Sequence, residues 1–321
     1  MTKAEIICLG EALIDITPRL PGNNIVDSGE MLMTASGAPA IVAAALAKLG
    51  SAAGFIGRVG DDFFGHHLKQ TLDSLGVDTT ALHFERQYNT GLAFVNWNEQ
   101  GNAVYLFYRN PSADMLLQPA DIDSAYLSNA RVLQFGSLLL ATEPSGEATR
   151  RAIHVAREAG LILSYDLNLR LGGWADQAAA LAGVSFPLEF ASIVKVNRVE
   201  LDFLTGDADP ESGTEKLWRD NFKLMVVTLD KYGCYFRTAT ASGYVPGFEV
   251  LPVDTVGAGD AFMAGLLDGL RRGNYNFNDA ELVRQACRQG NAAGALMVTR
   301  QGAIPALPSR EEVDRLLSGE K

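Results

Sequence analysis

Short runs of β-branched and aliphatic residues recur along the chain, and longer stretches with apolar positions at helical spacing lie between them. Ile6–Leu9, Phe55–Val59, Val132–Gly136, Ile162–Asp166, Ile193–Val196 and Leu224–Thr228 predict strands. Ala40–Leu49, His66–Leu75, Glu143–Ala159 and the stretches after Asp260 and Asp279 predict helices, closed by glycine or polar residues. This alternation is the pattern of a mostly parallel sheet flanked by helices, so the expected fold class is α/β.

Two segments break the alternation, Ile16–Thr34 and Thr90–Tyr108. The second has apolar runs at Gly91–Asn96 and Val104–Tyr108 around a polar, glycine-containing turn at 98–102, which predicts a β-hairpin. Strands without helices of their own join a central parallel sheet poorly, and are expected to form a small flap over one edge of it. Neither an internal repeat nor a long linker interrupts the chain. The expectation is one α/β domain over 1–321, with a β-sheet lid built from about 16–34 and 88–110.

Composition narrows the function classes. Of the 321 residues, 47% are hydrophobic, which suffices for a packed core. The net charge of −11 repels a phosphate backbone and argues against nucleic acid as a partner. The longest apolar run, Ala38–Ala47, is too short to span a bilayer, and the N-terminus lacks the pattern of a secretory signal. Cys8, Cys234 and Cys287 are too few and too scattered for a disulfide framework or a Cys-rich zinc site. A cytoplasmic protein with no membrane partner is expected.

The segment from Val253 to Gly265 carries the chemistry. Phe262, Leu266, Leu267 and Leu270 have helical spacing, which puts Gly257, Ala258 and Gly259 at a helix N-terminus. Small residues there let backbone N–H groups approach an anion, and the helix dipole favours negative charge. Beside them Asp260 can accept a proton from a hydroxyl aimed at that anion, an arrangement suited to phosphoryl transfer to an alcohol. The same residues would equally serve a tight βα turn with a first-turn acid. No Walker-type loop occurs, and the third glycine of a dinucleotide fingerprint is absent.

The ordered motifs decide between these readings. Asp254–Phe262 resembles the C-terminal signature of the PfkB, or ribokinase-like, family of carbohydrate kinases, and Ser36–Ala43 resembles its N-terminal one. Gly10–Asp15, Ile56–Gly65, Asp166–Arg170 and Asn197–Glu200 follow the family in order across nearly the whole chain. Gly10–Asp15 and Tyr108–Asp114 are most similar to bacterial fructokinases.

The resemblance implies a ribokinase-like fold and transfer of the ATP γ-phosphoryl group to a primary hydroxyl of a small sugar, fructose above others. Ribose, aminoimidazole riboside, 2-keto-3-deoxygluconate and nucleosides are the other acceptors of such enzymes. It further implies Asp260 as catalytic base and Gly257, Ala258 and Gly259 as the anion hole. Asp15 would hold ring hydroxyls, since its oxygens only accept; read alone it is a turn aspartate. Gly37 would let the sugar lie against backbone. Arg109 is either a contact to substrate or a solvated lid arginine. Asn168 and Arg170 are placed near sugar and phosphate. Asn197 and Glu200 would act on Mg²⁺-phosphate through water. Thr228 and Gly233 fall in the adenine and ribose loop, Val256 beside it, and Asn291 on the helix flanking the base. A K⁺ site would use Asp254 and the carbonyls of Val256, Met297, Arg300 and Gly302. A carboxylate at a helix N-terminus is expected to be a weak base, its pKa lowered by positive potential.

The chain also departs from the family. Ser36 stands where a second glycine is usual, and Ile41 where an asparagine binds a sugar hydroxyl. Asp230 replaces a common glycine, Leu167 a proline, and Ala306 a hydroxyl residue. Either the substrate presents an apolar edge to Ile41 or another residue compensates. A catalytically silent sensor is the competing reading, motivated by Ser36, Ile41 and Asp230. Trp97 and Tyr105 are expected on a lid or dimer surface, and a homodimer clasped through the lids is expected because an isolated hairpin is poorly stable.

Overall fold

In the computed structural model, which describes residues 3–20, 24–97 and 103–319, nine strands form one sheet. They are β1 (Ile6–Leu9), β4 (Ala53–Gly60), β5 (Asp78–Glu85), β8 (Val132–Phe135), β9 (Ile162–Asp166), β10 (Ile193–Asn197), β11 (Leu224–Thr228), β12 (Gly233–Arg237) and β13 (Ser242–Pro246). The order across the sheet is β13-β12-β11-β10-β9-β8-β1-β4-β5. Its pairings are parallel from β5 to β11, and β12 and β13 add an antiparallel edge. All six strands expected from the sequence are present, the longest change being the extension of the second to Ala53–Gly60.

Strand parity explains the layers. Successive side chains point to opposite faces, so a strand apolar at every position must be covered on both. Ile6 and Cys8 of β1 pack into one buried cluster, Ile7 and Leu9 into the other. The first cluster includes residues of α1 (Ala38–Lys48), α2 (Phe63–Ser74), α8 (Ala258–Arg272), α9 (Ala280–Met297) and α10 (Arg310–Ser318). The second includes residues of α3 (Ser124–Leu127), α4 (Ser145–Glu158), α5 (Gln177–Ser185), α6 (Arg198–Thr205) and α7 (Pro210–Leu217). Cys8, Cys234 and Cys287 are buried and unpaired. Among the described residues no helix is long and apolar enough to cross a membrane.

A separate four-stranded sheet, ordered β3-β2-β6-β7, is the expected flap. It is built from β2 (Leu13–Pro18), β3 (Met31–Ser36), β6 (Leu92–Trp97) and β7 (Ala103–Tyr108). Its first half starts earlier than expected, at Leu13, and runs to Ser36. The hairpin pairs Leu92 with Tyr108 through Trp97 with Ala103; its turn at 98–102 lies outside the described residues. Register puts Asp15, Thr34, Ala93 and Phe107 in one row on the inner face. Tyr105 lies on the lid as expected, in β7, but shares that inner face and lines the cleft beneath.

Candidate active site

A cleft of about 490 Å³, open mouth included, separates the inner face of the flap from the start of α8. Its walls bring together Asp15, Gly37, Ile41, Asn168, Arg170, Val256, Gly257 and Asp260, residues far apart in sequence.

The floor is the N-terminus of α8. Gly257 is its N-cap with φ 76°, a left-handed conformation that a side chain would strain, and no side chain caps the helix. The N–H groups of Gly257, Gly259 and Asp260 have no acceptor among the described residues. A left-handed residue leading into a helix turns successive amides toward one point, the geometry of an anion nest. The free donors therefore fit the phosphate expected there.

Asp260 projects from the first turn into the same cleft. Its pKa is pushed up to about 7, by desolvation first and the Asp166 carboxylate next, against the opposing pull of Lys195 and Arg170. This corrects the expectation of a depressed pKa: removal from water outweighs the helix dipole. The group is consequently poised near neutral pH, where a general base works best.

Lys195, which the sequence reading passed over, lies directly behind. Residues 193 and 195 of β10 face α8, as do 162, 164 and 166 of β9, so parity brings Lys195 and Asp166 together beneath the helix. Lys195 Nζ lies 3.0 and 2.8 Å from the two Asp166 oxygens, and a Cβ placed on Gly259 would sit 3.0 Å from it. Burial opposes the charge on Lys195, but Asp166 more than offsets it and keeps the ammonium protonated. A lysine within the apolar run Ile193–Val196 was the available signal.

The opposite wall belongs to the flap. Asp15 is 2% exposed, in strand β2 and not in a turn, and burial pushes its pKa up to about 7. The Ser36 hydroxyl donates to its Oδ2 at 2.6 Å. Glu11, also unremarked in the sequence, lines the cleft and accepts from the Ala38 N–H at 3.2 Å; burial raises its pKa to about 7 as well, against the pull of Arg109. Ile41 offers only carbon. Gly37 has φ 104°, and a Cβ there would sit 2.4 Å from the Glu11 carbonyl oxygen. The close approach of α1 to the β1–β2 connection thus requires a glycine here by itself, and Gly37 also lines the cleft where its backbone contact with sugar is expected.

Arg170 is the only cationic side chain among the lining residues. It stacks over Tyr105 at 4.8 Å and has no carboxylate partner among the described residues, so its fork is open to an anion. Asn168 holds a left-handed φ of 40° beside it. Leu167, where proline is usual, uses its N–H to bond the Lys195 carbonyl at 3.0 Å, a contact proline cannot make. Arg109 neither lines the cleft nor faces solvent: it is 9% exposed and forks onto Asp114, with Nε at 2.8 Å. Both expectations for it are corrected.

Of the residues expected around a nucleotide, Arg170 and Val256 line this cleft, and Asn197, Glu200, Thr228, Gly233 and Asn291 lie outside it. Asn197 pairs in register with Thr228 at the C-terminal ends of β10 and β11. Gly233 opens β12 opposite Pro246, and Asn291 of α9 donates to the Val245 and Pro246 carbonyls at 3.1 Å. Asn197 and Glu200 form a capping box at α6, and the second Glu200 oxygen accepts from the Leu169 N–H at 2.7 Å. Each Glu200 oxygen retains a lone pair for a water-mediated contact.

Asp254 is 2% exposed, accepts from the N–H groups of Val256 and Gly302 at 3.0 Å each, and has no ion-pair partner among the described residues. A buried carboxylate without a cationic side chain fits a bound monovalent cation. The Arg300 side chain instead pairs with Glu312. No cluster of three or more His, Cys, Asp or Glu suited to a metal occurs among the described residues.

Residues 3–310 match the family described as pfkB family carbohydrate kinase. Fructokinase-2 of Oryza sativa subsp. japonica is 41% identical over 98% of this chain and 94% of its own length. A fructokinase double mutant from Vibrio cholerae O395, solved with fructose, ADP and potassium ion bound, superposes with a TM-score of 0.89 at 34% identity, over 98% of each chain. A fructokinase from Xylella fastidiosa with bound ATP gives 0.87 at 33% identity, over 100% of this chain and 99% of that one.

Proposed function

The chain belongs to the pfkB family of carbohydrate kinases, and on that premise we propose that it transfers the ATP γ-phosphoryl group to a primary hydroxyl of fructose. The observation that carries the reading is the meeting of Asp15, Asp260 and the open α8 N-terminus in one cleft.

The flap side holds the sugar, with Asp15 accepting from its hydroxyls. Asp260 takes the proton of the attacking hydroxyl as the new P–O bond forms and the bond to the ADP oxygen breaks. Amides of Gly257, Gly259 and Asp260 stabilise the charge spread over the transferred group, and Arg170 supplies a cation at the cleft wall. With a late proton transfer, a base of pKa near 7 is well matched to neutral pH.

Mg²⁺ would be addressed by Asn197 and Glu200 through water, and would supply positive charge to the phosphates. K⁺ would be held by Asp254 with the carbonyls of Val256, Met297, Arg300 and Gly302, adding charge beside the anion site. Thr228, Gly233 and Asn291 would border the nucleotide. ATP as donor and three unpaired cysteines agree with a cytoplasmic enzyme.

The flap supports a homodimer. On its outer face Met31, Met33, Val104, Leu106 and Tyr108 are exposed, Leu106 and Tyr108 by more than 60%. An apolar sheet face of this kind calls for a partner, and a second flap is complementary to it.

The deciding experiment is a phosphoryl-transfer screen with Mg-ATP and K⁺ over fructose, ribose, aminoimidazole riboside, 2-keto-3-deoxygluconate and nucleosides. Fructose is expected to show the highest kcat/KM. Turnover of none, with calorimetric sugar binding retained, would establish the silent sensor instead.

A further inference from the structure

Ser36 and Asp15 reach the cleft from adjacent strands, β3 and β2, and both are nearly inaccessible, at 4% and 2% exposure. The bond between them is directional. A carboxylate only accepts, so the single Ser36 proton is committed to Asp15 Oδ2, 2.6 Å away. Two consequences follow from that commitment. The carboxylate cannot rotate freely, and Oδ1 is left without a donor among the described residues. The serine oxygen, its proton spent, can only accept from whatever enters the cleft, and no described residue donates to it.

The surroundings make these two acceptors count. Ile41 faces the same space with carbon alone, and Gly37 and Ala38 contribute no polar side chain. Glu11 is already engaged by the Ala38 amide through Oε1. Glu11 Oε2 remains an acceptor on this wall, but among the lining residues of β2 and β3 the hydroxyl-recognising group is the Ser36–Asp15 pair, joined by one hydrogen bond. Neighbouring hydroxyls on a sugar ring present a pair of donors to such a pair of acceptors.

We propose that Ser36 sets sugar specificity, holding the Asp15 carboxylate in its binding orientation and itself accepting one of two neighbouring sugar hydroxyls, in place of the polar contact that Ile41 cannot make. This rests on the sugar-kinase reading above. A site built to bond a particular hydroxyl discriminates strongly against a ligand lacking it, since a buried polar group is then unpaired.

The test is a cycle between enzyme and substrate. Ser36→Ala and Ser36→Gly are compared with the natural protein on fructose and its monodeoxy analogues, by steady-state kinetics and by calorimetry. Loss of one hydrogen bond at a charged group predicts roughly a tenfold rise in KM and Kd for fructose. KM for ATP and kcat are expected to stay within about twofold, because the nucleotide and the base are untouched. One monodeoxy fructose should cost the natural protein roughly tenfold and the variants nothing more. Unchanged sugar affinity in the variants, equal losses on every analogue in all three proteins, or disagreement between alanine and glycine would each overturn the proposal, the last by assigning the effect to packing. Absence of fructose turnover and binding in the natural protein would instead sink the parent reading.

Discussion

The Lys195 ammonium lies 2.8 Å from Asp166 Oδ2 and packs against Gly259 at the first turn of α8, so a buried ion pair backs the free amides of the anion site. Removing one partner of such a pair strands the other charge. Lys195→Met is expected to cost about 3–5 kcal/mol of stability, read from denaturant midpoints, with Asp166→Asn in the same chain recovering part of it. Lys195 also holds the Asp260 pKa down, so the acid limb of kcat/KM should move to higher pH in Lys195→Met.

The pH profile of the natural enzyme follows from two of the three cleft carboxylates, the sugar-binding Asp15 and the base Asp260. Asp15 and Asp260 are both raised to about 7, and both must be ionised to accept. Below pH 7, kcat/KM for sugar should fall with a slope steeper than one on a logarithmic plot. Asp260→Asn is expected to lower kcat by roughly 10²–10⁴ and to leave a residual acid limb of slope one.

Stability should show the same groups with the opposite sense. Folded pKa values raised above the unfolded ones favour the folded state at low pH, and that stabilisation is lost as pH rises toward 7. Each of Glu11, Asp15 and Asp260 contributes a slope of up to ~1.4 kcal/mol per pH unit between about pH 4 and 7. Melting temperature of the unliganded protein should fall over that range, and less steeply in Asp260→Asn.

Asp254 ties two loops through the Val256 and Gly302 amides. Asp254→Ala leaves both donors unpaired, at about 1–3 kcal/mol each. It should also abolish any dependence of kcat on K⁺, measured by replacing K⁺ with tetramethylammonium in both proteins. A K⁺ response that persists in Asp254→Ala would remove Asp254 from the cation site.

Asp230 stands at φ 52°, a left-handed position. Aspartate tolerates this conformation better than most residues, yet glycine has no Cβ to strain. Asp230→Gly should therefore raise stability by about 0.5 kcal/mol, seen as a small increase in melting temperature. The same geometry accounts for glycine being usual there.

Legibility differed between kinds of residue. Motif residues whose chemistry is local, such as Gly257 and Asp260, announced themselves because an anion site at a helix N-terminus is written in consecutive positions. Arg109 misled because its partner is Asp114, and nothing in the linear pattern distinguishes a buried fork from a substrate contact. Lys195 and Glu11 went unread because each matters through residues distant in sequence. The direction of the Asp260 shift was missed for the same cause: dipole and neighbours can be guessed from a motif, desolvation cannot.

From its sequence the protein determined the alternation of strands and helices, the flap, the anion loop with its base, and the kinship to sugar kinases, since periodicity and short motifs act over a few residues. Tertiary structure alone decided that Ser36 meets Asp15, that Arg109 is spent on Asp114, and that three carboxylates titrate near neutrality. Those outcomes depend on which surfaces exclude water from one another, and that is fixed only when distant segments close over a common cleft.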